Sequence, residues 1–356
     1  MGVPAPESQI QFLTNLQRLL GEGSFVATYK YALLMALADI AVEVGRDDDS
    51  PLSIDTTLIA EKFVQYYWRQ SAPYIAGSGA GNDRVLRQNT NKDKQAGIIT
   101  LLHEARAQYE GALPEVRRRD REWRRIVAEV RKFVEVMPLW RLQTVGREQH
   151  DFLYENLGKG HHIQLRPGVA FCLRKFYGLV ADLVKGAWAR YLRRYNPDIL
   201  GTGHDLHEFL FGSERSNLST AISVLREFQK GECFYCQRSL KDEFIHVDHF
   251  VPWSRYPVDL GHNLVLAHAN CNERKSDRLA AGVHLERWVE HTTAHGADLQ
   301  RELGHSGILS DVKVCARIAD WAYGQTFHVQ GLTWLRGNEL QALPEDWNRS
   351  LTSLLN

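Results

Sequence analysis

Apolar residues recur at helical spacing through most of the first 200 positions. "SFVATYKYALLMALADIAVEVG" predicts a helix with Ser24 as N-cap and Gly45 as its stop. "RDDDSP" follows as a polar loop, and "SIDTTLIAEKFVQYYWRQ" predicts a second helix beginning near Asp55. The glycine-rich "GSGAGN" at 77–82 predicts a flexible break. "PEVRRRDREWRRIVAEVRKF" predicts a helix opening at Pro114. Alternation in "HHIQLRPG" predicts a strand, and "VAFCLRKFYGLVADLVKGAWARYLRRYN" a long amphipathic helix ending at Asn196 before Pro197.

The pattern changes after "GTGHDLHEFLFGSERSN", which reads as a connector. "LSTAISVLREFQK" predicts a short helix. "FIHVDHFVP" has strand character up to His249, with Pro252 ending the run, and "NLVLAH" is a second apolar strand. "NCNERKSDRLAA" predicts a helix from near Asn270, and two further helices, "HLERWVEHTTAHGADLQRELG" and "SDVKVCARIADWAYGQ", are expected to pack over this unit. The expected fold is mainly α: a helical domain over 1–145, a middle region and connector over 146–215, and a small ββα unit with C-terminal helices over 216–356. Strand, loop, strand and helix bury little surface on their own, so a metal staple makes physical sense there.

Composition narrows this only slightly. Of 356 residues, 44% are hydrophobic and 24% charged, as in ordinary globular chains. The formal charge of +0 advertises no nucleic-acid partner, so local clusters carry that argument. The arginines of "PEVRRRDREWRR" suit a phosphate-facing surface or a solvated helix laced by pairs such as Glu115 and Arg119. Arg190, Arg193 and Arg194, interleaved with Tyr191 and Tyr195, suit a nucleic-acid backbone or a solvated helix end. The N-terminus lacks a secretory pattern. The nearest approach to a membrane segment, "YALLMALADIAVEVG", is interrupted by Asp39 and Glu43, so a cytoplasmic location without membrane contact is expected.

Cysteine usage changes the picture more. Cys233 and Cys236 have CxxC spacing, and roughly thirty residues on "AHANC" supplies His268 and Cys271. Two such pairs fit a tetrahedral structural Zn2+ site of three thiolates and one imidazole. Cys315 reads as a small core residue.

The run "CFYC…HVDHFVPWS…GHNLVLAHANCNERKSD", over about 230–285, resembles the HNH endonuclease module, a ββα-metal nuclease domain. Zinc-bearing members usually show CxxC twice; His268 stands at the third position here. The resemblance implies His249 as general base, Asp248 and Asn272 as ligands of a catalytic Mg2+ or Mn2+, and Asn263 as the group orienting the histidine ring. It also places Lys275, and with it Arg274 and Arg255, near phosphate. These residue types suit phosphodiester hydrolysis: an imidazole takes a proton from water, and a hard cation stabilises the phosphate and the departing oxygen.

The implied function is a DNA endonuclease of bacterial restriction or anti-phage defence, acting on double-stranded DNA, with a homodimer or a regulatory protein as partner. The alternative is a nucleic-acid or protein-binding zinc module with latent or RNA-directed nuclease activity. Among the remaining histidines, His246 is expected to pack or support the site, His262 to sit in a turn, and His161 and His162 to be structural or exposed. Trp253 is expected to pack rather than line a DNA approach.

Overall fold

A helix that is apolar on every side has to be enclosed by others. Every residue from Tyr31 to Val42 is buried in the computed structural model, which describes residues 2–355 apart from 75–83, 110, 112, 159, 201–205, 213–217 and 242–244. The expected break at 77–82 and both ends of the 201–217 connector lie outside the described residues. The chain is mainly α and divides into two units, Met1–Gly212 and Ser213–Asn356.

The first unit runs α1 (Pro6–Glu22), α2 (Tyr29–Val44), β1 (Leu52–Asp55), α3 (Thr56–Gln70), α4 (Gly97–Gln108), α5 (Leu113–Arg118), α6 (Asp120–Val136) and α7 (Pro138–Arg141). It continues with β2 (Thr144–Val145), β3 (Glu148–Gln149), β4 (His162–Leu165), α8 (Val169–Lys175), α9 (Tyr177–Tyr195), α10 (Pro197–Leu200) and α11 (Leu206–Phe211). The central helix α2 is enclosed by α3, α7, α8 and α9.

The two acids that interrupt its apolar run are met by partners, as buried charge requires. Asp39 accepts hydrogen bonds from Tyr66 at 2.5 Å and Tyr177 at 2.8 Å, and Glu43 pairs with Lys62 at 2.6 Å. Among the described residues, no helix is long and apolar enough to cross a membrane.

Several boundaries differ from those the sequence suggests. The segment from Ser24 to Thr28 is not helical: Ala27 bridges Asn89, and the Thr28 hydroxyl turns inward to Tyr67 and Gln88, each at 2.8 Å. The arginine-rich helix is two helices, broken at Arg119, where ψ is 78°. The long helix after 168 is also two, broken at Phe176. The boundary expected at 145 does not separate units, because β1 pairs antiparallel with β4 from Leu52↔Leu165 to Asp55↔His162. That pairing and the packing of α8 and α9 on α2 make the middle region the missing wall of the helical core.

The second unit comprises α12 (Leu218–Phe228), β5 (Ile245–His249), a 3-10 turn (Gly261–Asn263), β6 (Leu264–His268) and α13 (Ala269–Lys275). It closes with α14 (Gly282–His305), α15 (Val312–His328), β7 (Leu332–Arg336), β8 (Glu339–Ala342) and α16 (Thr352–Leu355). The strand–strand–helix order and the two covering helices match the sequence pattern; the β7–β8 hairpin is additional. Its Trp334 is buried and packs edge-on to Tyr235 at 5.3 Å. Phe250 stacks on Trp288 at 5.3 Å, so the core lies directly behind the β5–β6 hairpin. Cys315 is buried on α15, as a core residue.

Candidate metal and nuclease centre

The two halves of the cysteine cluster arrive on different elements. Cys233 and Cys236 flank a tight turn closed by the amide of Gln237 on the Cys233 carbonyl, with Gln237 in the left-handed region at φ 56°. His268 ends β6 and Cys271 lies in the first turn of α13. One donor atom from each of the four lies within 4.8 Å of all the others.

The cluster has the donors of a structural zinc site. His268 Nδ1 is 3.3 Å from Cys236 Sγ, while its Nε2 donates to the Ser239 carbonyl at 3.1 Å, which fixes the tautomer that leaves Nδ1 free to coordinate. Burial and then the neighbouring thiols push Cys271 up to about 12. Burial also opposes the Cys236 thiolate, but hydrogen bonds from Arg238, Cys233 and His268 outweigh it and bring Cys236 down to about 6. Crowded thiolates of this kind are stabilised together by a soft-accepting dication.

Strand β5 then presents its residues to α13 in two rungs. It pairs antiparallel with β6 from Ile245↔His268 to His249↔Leu264, and the pleat sends His246 and Asp248 to one face. On the exposed rung His246 Nδ1 meets Asn272 Nδ2 at 3.3 Å. On the buried rung Asp248 Oδ2 is 3.0 Å from Lys275 Nζ and accepts from the Tyr235 hydroxyl at 2.5 Å. Lys275 Nζ also donates to the His249 carbonyl at 2.9 Å, so one ammonium grips two successive residues.

This corrects one expectation. Lys275 is 0% exposed, and its ammonium is spent inside the unit, so it is not a phosphate contact. A helix residue three positions beyond Asn272 lands on the same inward face, which turns it to the core.

At the end of the strand, His249 Nε2 lies 2.7 Å from Asp259 Oδ1, and the Trp253 ring sits edge-on at 5.3 Å. Trp253 therefore packs against the histidine itself. Asn263 does not orient the ring directly: its amide donates to the Val251 carbonyl at 3.0 Å and its oxygen accepts from the Val251 amide at 2.7 Å. It holds the chain just after His249, while the ring is held by Asp259. Neither Asp259 nor Tyr235 was singled out by the sequence. Asp259 sits in an irregular loop ten positions on, and Tyr235 is hidden inside CFYC, where spacing draws attention to the cysteines.

The remaining residues are placed more simply. Arg274 is exposed and bonds Asn270 at 2.9 Å and Asn338 at 2.8 Å. Arg255 is half-buried beside Asp277 and Tyr323, and burial lowers its pKa. His262 sits in the 3-10 turn, as expected, and is buried there, with Nε2 on the Gly296 carbonyl at 2.9 Å. His161 and His162 are exposed and face Glu135 at 2.7 Å and Asp55 at 3.2 Å.

A cluster with zinc-type donors sits at the base of a ββα hairpin, and residues 233–278 match the HNH endonuclease family, which points to a nuclease module. The chain belongs to the family described as Domain of unknown function (DUF8808), whose match covers residues 9–210, over half its length. No curated protein and no solved structure matches the chain significantly.

Proposed function

We propose that the protein is a metal-dependent endonuclease that hydrolyses DNA phosphodiester bonds. The observation that carries this reading is the His249–Asp259 pair at 2.7 Å, one residue beyond an anchored aspartate and within the HNH match. An imidazole whose Nε2–H is given to a carboxylate keeps a lone pair on Nδ1, the atom that takes a proton from the attacking water. Asp259 holds the ring and stabilises the imidazolium that results. Asn263 keeps the following backbone in register, so the ring is fixed from both its side chain and its chain.

Asp248 and Asn272, with His246 beside them, would hold a divalent cation such as Mg2+ or Mn2+. Bound there, it would supply charge to the phosphate and the departing 3′ oxygen. Zn2+ at Cys233, Cys236, His268 and Cys271 would keep the hairpin and helix together without competing for that site, because thiolates and oxygen donors select different ions. Arg274 and Arg255 would meet the DNA backbone of a double-stranded substrate. We further propose a role in bacterial restriction or anti-phage defence, an inference by family analogy.

The test is cleavage of paired DNA and RNA substrates with Mg2+ or Mn2+ by the wild type and His249→Ala. DNA cutting by the wild type, lost in a folded His249→Ala protein, is expected. Undiminished cutting by the variant would overturn the base assignment, and RNA-only cutting would overturn the substrate.

A further inference from the structure

Asp248 is held from two sides by groups unrelated to any substrate. One is Lys275; the other is a tyrosine that sits between the two cysteines of the knuckle. The backbone carrying that tyrosine is itself pinned: the Phe234 amide donates to the Leu266 carbonyl at 2.9 Å. Arg287 Nη1 donates to the carbonyls of Phe234 and Tyr235 at 3.0 and 3.1 Å. The ring is packed edge-on against Trp334 and His284, at 5.3 and 5.4 Å, and its hydroxyl donates to Asp248. Both contacts fall on Oδ2, which restrains the carboxylate's rotation and leaves Oδ1 outside this pair of contacts.

We propose that Tyr235 is a positioning residue that couples the cysteine cluster to the divalent-cation site, its hydroxyl setting the orientation of Asp248 and so the cation affinity. The proposal rests on the reading of Asp248 as a cation ligand. Partners of a metal-ligating carboxylate typically govern affinity by 10- to 100-fold, because an unheld carboxylate pays rotational entropy on binding. Tyr235→Phe removes only one oxygen and leaves the ring packing in place. Lys275 continues to hold Asp248 in the variant, so the carboxylate is loosened rather than released.

The experiment uses the full chain with Mn2+ alone as the probe. Free Mn2+ is followed by electron paramagnetic resonance for the wild type, Tyr235→Phe and Asp248→Asn, with zinc measured on each sample. Expected is loss of binding in Asp248→Asn, and in Tyr235→Phe a weakening of about 10- to 100-fold with zinc content unchanged. Cleavage at saturating Mn2+ should be nearly that of the wild type, because only ground-state cation binding is altered. Wild-type Mn2+ affinity in Tyr235→Phe, zinc loss in parallel with Mn2+ loss, or full Mn2+ binding by Asp248→Asn would each overturn the proposal. If the wild type cuts nothing while the Mn2+ titrations still separate the variants, the coupling stands and the nuclease reading falls.

Discussion

The two units bury ionisable groups by different means. In the first, each charge finds a protein partner: Asp39 has two tyrosines, Glu43 has Lys62, and Arg174 spans Asp47 at 2.7 Å and the Val42 carbonyl at 2.7 Å. In the second, Asp248 is likewise met by Lys275 and Tyr235, but three thiols and an imidazole also crowd within 4.8 Å of one another, a set that a cation would complete. The first unit is closed by its own side chains, whereas the ββα module is held open to metal control.

That contrast is broken most directly by taking the metal away. Chelation, or Cys233→Ser, should unfold the hairpin and α13 while the first unit keeps its protected amides, since structural zinc supplies on the order of 10–16 kcal/mol in small zinc modules. Hydrogen exchange resolved by peptide checks this; simultaneous loss of protection in both units would erase the distinction.

Next in size are the catalytic substitutions. His249→Ala should lower the cleavage rate by roughly 10²- to 10⁴-fold, and Asp259→Asn by up to about 10⁴-fold, because an amide donating to Nε2 favours the tautomer in which Nδ1 carries the proton. Single-turnover cleavage on folded, zinc-replete variants checks both.

A smaller effect follows from pH. Burial is the main cause that lowers the pKa of His262, His284 and His291 from 6.5, so their neutral forms are favoured in the folded state. A depressed histidine contributes stability that is full above the unfolded value of about 6.5 and is lost as pH falls below it. The denaturation midpoint of the second unit, measured with zinc in excess, should therefore drop on acidification from neutral pH. A midpoint that rises on acidification would refute the burial argument.

The smallest effect is expected on α6. Arg124, Arg125 and Arg131 are laced to neighbouring acids, as with Arg124 and Asp120 at 3.3 Å, both largely exposed. Arg124→Ala should change stability by less than about 0.5 kcal/mol and leave DNA affinity and its salt dependence unaltered. A shallower salt slope in that variant would restore the phosphate-facing reading.

How much of this was legible in the chain follows from how local each signal is. CxxC and HxxC are short-range patterns, and the ββα order reads from period-2 runs and a helix start; these carried through to the structure. Asp248, His249 and Asn272 were found by motif, but their partners were not, because Asp259, Tyr235 and Lys275 reach them through turns and a helix face that no spacing rule encodes. Lys275 shows this well: a lysine near a nuclease motif suggests phosphate, yet the pitch of α13 directs it into the core. In the first unit, β1 and β4 stand more than a hundred residues apart, so the pairing that joins the middle region to the helical domain leaves no mark on either segment alone.

The complete enclosure of α2 has a consequence for biosynthesis. Its last walls, α8 and α9, are made after more than a hundred further residues have emerged, so the nascent chain carries an oily rod covered only in part by α3 and α7 until Tyr195 leaves the ribosome. Fragments that stop at 145 inherit that rod permanently and should associate or be degraded, whereas those that extend through 212 should not.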